Sequence, residues 1–296
     1  MGLIVPTTRV GFIGLGVMGT PMALNLARRF PLTVWNRSES KYPALIKAGA
    51  VVANSPAAVV ENSDFIFTML FDGSSLKSIL SDDFRRSLRG KTLINTSSVT
   101  VGDSESLFRT VTEAGGSFIE MPVSGSRMPA EQGRLVGMMA GDEAACESIR
   151  PIVEPLTTSA IYCGPIGSGL RMKYAVNNYL ITMTAGLAES MNLAKAQGLD
   201  VKDFGEVIDA GPMASAYSRL KIDKMQREDW SAQASIDDCH NSTRLICAAT
   251  AQAGTKGPLI SLCEHLYGTA KDEGFGGEDM VAVIKVLQTD LRRGRT

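Results

Sequence analysis

The chain has few cysteines, no surplus of charge and no long apolar run, and each shortage removes a class of protein. Its five cysteines, Cys146, Cys163, Cys239, Cys247 and Cys263, are odd in number, widely spread and free of any C-x-x-C pair. That argues against a disulfide framework and a zinc site, and for reduced thiols in an intracellular, cytoplasmic setting. The 30 basic residues nearly cancel the 31 acidic ones and no basic tract stands out, so the electrostatic footprint of a nucleic-acid binder is missing. Arg292, Arg293 and Arg295 read as a frayed, solvated tail. The most apolar stretch, Tyr174–Ala188, falls short of the roughly 18 residues of a membrane span and contains Asn177 and Asn178. Met1–Thr8 is too short and too uncharged for a signal peptide, and Pro6 stands where a myristoylation signal needs Ser or Thr. The expectation is a soluble protein with neither a nucleic-acid nor a membrane partner.

What is present points elsewhere. A length of 296 residues with 44% hydrophobic content suits two domains with buried cores. Near the start, the apolar run Val10–Ile13 reads as a strand, Met18, Met22, Leu24 and Leu26 open a helix, and Leu32–Trp35 reads as a second strand. Between the first strand and the helix, Gly14, Gly16 and Gly19 have the G-x-G-x-x-G spacing of a dinucleotide fingerprint. Gly14 permits the tight turn, Gly16 lets backbone approach a pyrophosphate, and Gly19 lets the helix pack closely on the strand. The turn Gly14, Leu15, Gly16, Val17, Met18, Gly19 then points a helix N-terminus at the phosphates. At the end of the second strand, NAD-binding versions place Asp or Glu to hold the ribose 2′-hydroxyl. This chain has Asn36, Arg37 and Ser38 there. With no carboxylate and an arginine placed to meet a 2′-phosphate, NADP(H) is favoured over NAD(H).

From the fingerprint to about Gly164, short β-rich runs alternate with helical patterns. Asp64–Leu70, Lys91–Thr96, Ser117–Val123, Leu135–Ala140 and Ala160–Cys163 are the further strands expected. This is the signature of a doubly wound α/β sheet. After Gly169 helical periodicity takes over, first in a long segment to about Gln197 that Gly198 ends. Further helices are expected around Val201–Asp209, Ala216–Arg227, Ile236–Ala253, Pro258–Asp272 and Asp279–Leu291. The organisation is therefore a Rossmann-type α/β domain over 1–165 and an all-α domain over 166–296, joined by a long interdomain helix.

Three further stretches, taken with the fingerprint, resemble the β-hydroxyacid dehydrogenase family across nearly the whole chain. Asn95-Thr96-Ser97-Ser98 resembles the family's D-x-S-T loop near the nicotinamide, with Asn95 for the usual Asp and Ser98 for Thr. Met121-Pro122-Val123-Ser124-Gly125-Ser126, followed by Arg127-Met128-Pro129-Ala130-Glu131-Gln132-Gly133, resembles the D/E-A-P-V-S-G substrate loop. Its P-A-E-x-G tail is most similar to the glyoxylate/succinic semialdehyde reductase branch. Gly167-Ser168-Gly169-Leu170-Arg171-Met172-Lys173-Tyr174-Ala175-Val176-Asn177 fits the family's G-x-G-x-x-x-K-x-x-x-N. The resemblance implies that Met69, Leu70 and Phe71 line the cofactor together with Asn95 and Ser98. It also implies a dimer or tetramer.

Hydride transfer to a carbonyl leaves an alkoxide, so the site needs a proton donor within hydrogen-bond reach of that oxygen. Lys173 can be that donor, and its spacing of four from Asn177 puts both side chains on one helix face, where Asn177 orients the lysine or the substrate. Ser124, Gly125 and Ser126 offer backbone N–H groups and two hydroxyls to a substrate carboxylate. One departure stands out: Asn241 and Ser242 occupy the positions of the family's Lys-Asp pair. His240 next to them is either a replacement polar contact or an incidental helix-surface residue, and His265 has no partner pattern. Arg127 is the one nearby cation that could compensate for the lost lysine, or else a solvent-facing loop residue. The reading is an NADP(H)-dependent oxidoreductase interconverting a small aldehyde or keto acid and its hydroxyacid. An imine reductase of the same fold and a non-catalytic nucleotide-binding interaction module are the alternatives.

Overall fold

The computed structural model describes residues 8–293, with side chains described to Gln288. The readings of the N-terminal segment and of Arg295 fall outside the described residues, Thr8 excepted. Six short strands form a parallel sheet: β1 (Val10–Ile13), β2 (Leu32–Trp35), β3 (Val51–Val52), β4 (Phe65–Thr68), β5 (Thr92–Asn95) and β6 (Ser117–Glu120). Their spatial order is β3-β2-β1-β4-β5-β6. Every residue of β1 is buried, as a central parallel strand covered by helices on both faces requires, and Phe12 stacks on Phe67 of β4 with ring centroids 6.0 Å apart. Order reverses between β1 and β4, so the carboxyl ends of these strands form the crevice where such sheets hold ligands.

Three more strands extend the sheet: β7 (Val123–Ser124), β8 (Leu135–Ala140) and β9 (Thr157–Gly164). β8 runs antiparallel to β6 and β7, and β9 runs parallel to β8. The run read as one strand over Ser117–Val123 is thus two strands. Pro122 has no N–H for a ladder, and the break at Met121-Pro122 separates β6 from β7. β3 escaped the sequence reading because it is two exposed valines on a sheet edge, without the alternation that marks a half-buried strand. β9 is longer than Ala160–Cys163, since its outer residues are half exposed and polar.

The long helix spans Ser168–Ala196, and Gly198, at φ +79°, follows its end. Helices Val201–Ala210, Ala216–Gln226, Ile236–Gln252 and Pro258–Ala270 follow. Asp200, Ser215 and Ser235 cap the first three, the serines within reciprocal capping boxes. The last segment differs from a single helix over Asp279–Leu291. Asp279 caps a 3₁₀ turn, Met280–Val283, and an α-helix then runs Ile284–Arg293. The backbone at Arg292 and Arg293 is therefore helical rather than a frayed tail. Among the described residues no helix is long and apolar enough to cross a membrane.

Backbone contacts divide the chain into two compact units, one ending at Lys173 and the other starting at Tyr174. The division lies inside the long helix, whose first turn is hydrogen-bonded into the first unit through Glu120. In the second unit, Lys221 and Asp279 form a buried ion pair at 2.8 Å, and the same aspartate accepts the N–H groups of Gln233 and Val281.

Candidate active site

The carboxyl edge of the sheet is tied together by a run of side chains crossing four strands. A Cβ on Gly14 (φ +101°) would lie 2.3 Å from the Met69 carbonyl oxygen, so only glycine allows the β1 turn to sit on the end of β4. Next to it, the Leu15 N–H donates to Asn36 Oδ1 at 2.9 Å, linking the same turn to the end of β2. On the other side the Leu70 N–H donates to Ser97 Oγ at 2.9 Å, linking β4 to the loop after β5. Thr96 Oγ1 donates to the Thr68 carbonyl at 2.7 Å, and Thr68 Oγ1 donates to Asn95 Oδ1 at 2.9 Å. Thr96 and Ser97, passed over in the sequence, make these braces. Their short hydroxyls within the N-T-S-S loop were the available signal.

This edge can receive a nucleotide. A Cβ on Gly16 would meet nothing within 4 Å, whereas one on Gly19 would lie 1.9 Å from the Gly14 carbonyl, so the turn is open outward and closed inward. Gly16 and Val17 are exposed, Met18 is half-buried, and no side chain caps the helix Gly19–Ala27. The Thr20 N–H is taken by the Gly16 carbonyl at 3.1 Å and Pro21 has no N–H, so an anion would meet the exposed Gly16–Val17 backbone of the turn and the positive dipole end of the helix. Leu15 has its side chain in the core and meets the turn through backbone alone. The Asn36 amide is already engaged, accepting from Leu15 and donating to the Ser38 carbonyl at 3.0 Å, which leaves the exposed Arg37 and Ser38 side chains facing solvent. Among the described residues no carboxylate pairs with Arg37. Met69 and Leu70 are half-buried and Phe71 is 59% exposed.

Asn95 is fully buried, and the Ser97 N–H at 3.2 Å together with the Thr68 hydroxyl fixes which side-chain atom is the acceptor. Its Nδ2 has no hydrogen-bond partner among the described residues. Ser98 is half-buried.

A second set of residues surrounds the start of the long helix. Glu120, at the end of β6, is fully buried, and accepts the Leu170 N–H on Oε1 at 2.9 Å and the Gly167 N–H on Oε2 at 3.2 Å. Ser104 Oγ donates to the same carboxylate. Burial pushes the Glu120 carboxyl above the usual range, against the opposing pull of these hydrogen bonds. Gly169 lies so close that an added Cβ would be 2.5 Å from the Met138 carbonyl and 3.2 Å from Pro122. Pro122 leads directly into Ser124, Gly125 and Ser126. Gly125 has φ +128°, and Ser124 and Ser126 are half-buried. Lys173, one turn into the helix, is buried at 8% exposure. Asn177 follows one turn later on the same helix, half-buried, and its Oδ1 is buried without a hydrogen-bond partner among the described residues. Glu120 was missed as a functional residue: it is the acid heading the P-V-S-G loop, adjacent to the residues singled out.

Arg127 pairs with Glu131 one turn along at 2.8 Å, both exposed. His240 is half-buried with Nε2 close to Gly268 of the neighbouring helix. Asn241 and Ser242 are half-buried.

Residues 9–164 match the NAD-binding domain of 6-phosphogluconate dehydrogenase, and residues 167–287 match the NAD-binding region of NADP-dependent 3-hydroxyisobutyrate dehydrogenase. The chain belongs to the β-hydroxyacid dehydrogenase family. It is thus an NAD(P)-binding oxidoreductase of the class acting on CH–OH groups. Among its relatives, the chloroplastic glyoxylate/succinic semialdehyde reductase 2 of Arabidopsis thaliana is 33% identical over 97% of this chain and 81% of that protein. Glyoxylate/succinic semialdehyde reductase 1 of the same plant is 32% identical over 94% and 98%. The solved structure of Psf3 in complex with NADP+ and 2-OPP is 26% identical, with a TM-score of 0.86 over 94% of this chain and 99% of that one. Both family matches cover the two units in turn, so the likeness extends beyond the nucleotide fingerprint.

Proposed function

We propose that this family member is an NADP(H)-dependent reductase of a small aldehyde or keto acid, also able to run the reverse oxidation of the hydroxyacid. The observation that carries the reading is a lysine buried to 8% exposure, Lys173, one helical turn before an amide oxygen that is buried and unpartnered among the described residues. Spaced four residues apart, the two side chains share one face of the helix. The Gly14–Gly19 turn would hold NADPH, with Arg37 and Ser38 for its 2′-phosphate and Met69, Leu70, Phe71, Asn95 and Ser98 lining the site, and the cofactor when bound would supply the hydride to the carbonyl carbon. Lys173 gives a proton from Nζ to the carbonyl oxygen, and Asn177 orients the lysine or the substrate through its free oxygen. Backbone N–H groups and hydroxyls of Ser124–Ser126 bind the substrate carboxylate.

Replacement of the family's Lys-Asp pair by Asn241 and Ser242 leaves one positive charge fewer for a strongly acidic substrate, a loss of about 1.5–3 kcal/mol for a charge-assisted hydrogen bond. The chain is therefore a weak reductase of glyoxylate and succinic semialdehyde and a better one of larger or less acidic carbonyls. The long helix also leaves Met172, Val176, Tyr179 and Leu193 exposed along one stripe, Tyr179 at 71%, which supports a homodimer or homotetramer.

The test is turnover of NADPH with glyoxylate, succinic semialdehyde, bulkier carbonyls and cyclic imines. Lys173→Ala should lower kcat roughly 10²–10⁴-fold with NADPH affinity little changed, and Lys173→Arg should not rescue, since a guanidinium keeps its proton. Near-parent turnover of the alanine variant would remove the lysine from the chemistry. Reduction of cyclic imines alone would move the chain to imine chemistry. Asn241→Lys/Ser242→Asp should raise activity selectively on the short carboxylated aldehydes, and an unchanged profile would show that these positions do not set specificity.

A further inference from the structure

We infer that Glu120 is the positioning residue for Lys173, fixing where along its axis the helix begins and therefore where the lysine stands. The inference rests on the proposed role of Lys173 as proton donor. Three features carry it. The carboxylate is fully buried and accepts N–H groups from both Gly167 and Leu170, which bracket the first turn of the helix, with Lys173 three residues beyond Leu170. The two glycines of the G-x-G entry make this approach possible: Gly167 has φ +90°, and a Cβ on Gly169 would lie 3.0 Å from Glu120 Oε1 and 2.5 Å from the Met138 carbonyl. Finally, Ser104, itself fully buried on helix Val101–Glu113, donates to the same carboxylate, so the acid is held from a second side.

A helix start needs partners for its first N–H groups, but a capping Ser, Thr or Asp at the N-cap position supplies them locally, as Ser55, Asp72, Ser81, Thr100 and Asp142 do elsewhere in this unit. Here the acceptor comes instead from a residue 47 and 50 positions away in sequence, on a strand of the sheet. A local cap travels with its helix. An acceptor on β6 registers the helix to the sheet, and only Met121 and Pro122 separate β6 from β7, which runs into the Ser124–Ser126 turn. One side chain therefore sets the lysine and the substrate loop from a common origin.

The experiment compares the full-length protein with its Glu120→Gln, Gly169→Ala and Ser104→Ala variants and with Lys173→Ala. Three quantities are read: kcat and KM with NADPH and succinic semialdehyde or glyoxylate as probe carbonyls; NADPH affinity by fluorescence titration; and the rate at which Lys173 is acetylated by acetic anhydride, resolved from other lysines by peptide mass spectrometry. Gln keeps one oxygen but turns an N–H toward a backbone donor, so Glu120→Gln should lower kcat at least tenfold. It should leave KM and NADPH affinity within about twofold, and speed acetylation of Lys173 at least threefold relative to the exposed Lys47. Gly169→Ala should do the same by pushing the helix start, and Ser104→Ala should give a smaller shift in the same direction. If Glu120→Gln fails to fold, these two carry the same readouts, and if the parent turns over neither carbonyl, acetylation of Lys173 decides.

Turnover and Lys173 reactivity both within twofold of the parent would overturn the inference. An equal fall in kcat and NADPH affinity would overturn it too, since that pattern belongs to general loss of structure, as would a fall in kcat with Lys173 reactivity unchanged. Near-parent turnover in Lys173→Ala overturns the reading underneath; loss of turnover there with an unaffected Glu120→Gln overturns this inference alone.

Discussion

The two compact units bury polar groups in different proportions. In the first, among the described residues, the buried polar side chains are mostly short and neutral, Asn25, Ser63, Thr68, Asn95, Thr96, Ser97 and Ser104, and the buried charged residues are Glu120 and Lys173. Most of them gather where β4, β5 and β6 end. In the second, Lys221, Lys224 and Asp279 are buried full charges, and they answer one another or backbone: Lys221 to Asp279 at 2.8 Å, Lys224 to Asp229 at 2.9 Å and to the Ser231 carbonyl at 2.8 Å. Short neutral groups brace loops and still leave a donor over, as Asn95 Nδ2 shows. Long charges in the second unit close on themselves and fix how its helices meet. The first arrangement is that of a surface waiting for a ligand, the second that of a scaffold.

The sharpest break of this contrast is at Asp279. Asp279→Ala strands the Lys221 ammonium at 2% exposure and removes the acceptor of the Gln233 and Val281 N–H groups. It should cost about 3–5 kcal/mol of stability by denaturant unfolding. NADPH affinity of the folded fraction should stay within about twofold. A comparable loss of affinity in the folded protein would mean the scaffold and the nucleotide edge are not separable.

The reciprocal test is smaller in stability and larger in binding. Ser97→Ala takes the acceptor from the Leu70 N–H and should cost about 1–3 kcal/mol, but it also loosens the β4–β5 end and should weaken NADPH several-fold. Arg37 sharpens the contrast further, since it braces nothing among the described residues. Arg37→Ala should leave stability within about 0.5 kcal/mol while reducing a preference for NADPH over NADH of at least tenfold, about 1.4 kcal/mol. Equal efficiency of the parent with the two cofactors would remove Arg37 from cofactor choice.

The same contrast explains what could be read in advance. β1, the fingerprint turn and β2 are legible because local rules govern them: a buried parallel strand must be uniformly apolar, and positive φ at Gly14 demands glycine. The long helix is legible because an uninterrupted helical pattern ends at Gly198. Lys173 and Asn177 stand out through their spacing of four. Glu120 was visible as the acid heading the P-V-S-G stretch, but its partners at Gly167 and Leu170 were not, because no periodicity reports a contact at that separation. The hydrogen bond from the Leu15 N–H to Asn36 Oδ1 is likewise a long-range contact that no local pattern reports. The Asp279 turn looked like helix because a 3₁₀ turn and an α-helix share apolar spacing over so few residues.

The smallest expected effect is also the one that sets the two units against each other most directly, because their acids titrate in opposite senses. Burial raises the Glu120 carboxyl above its ordinary value, so in the window just above the usual glutamate range the native state holds a proton that the unfolded chain has released. Stability from this group therefore falls as pH rises through that window. Asp229 is displaced the other way. Hydrogen bonds from Ser231, and next the Lys224 ammonium, hold its carboxyl below the usual range. Its contribution is present above the ordinary aspartate value of about 3.9 and is lost as pH falls below it. Denaturant unfolding measured across the acid range, parent against Glu120→Gln and parent against Asp229→Asn, isolates each group as a difference. The first difference should slope downward with rising pH and the second upward. Two slopes of the same sign would show that Glu120 is governed by its hydrogen bonds and not by its burial, and the distinction between a ligand-facing edge and a self-satisfied scaffold would then not extend to their acids.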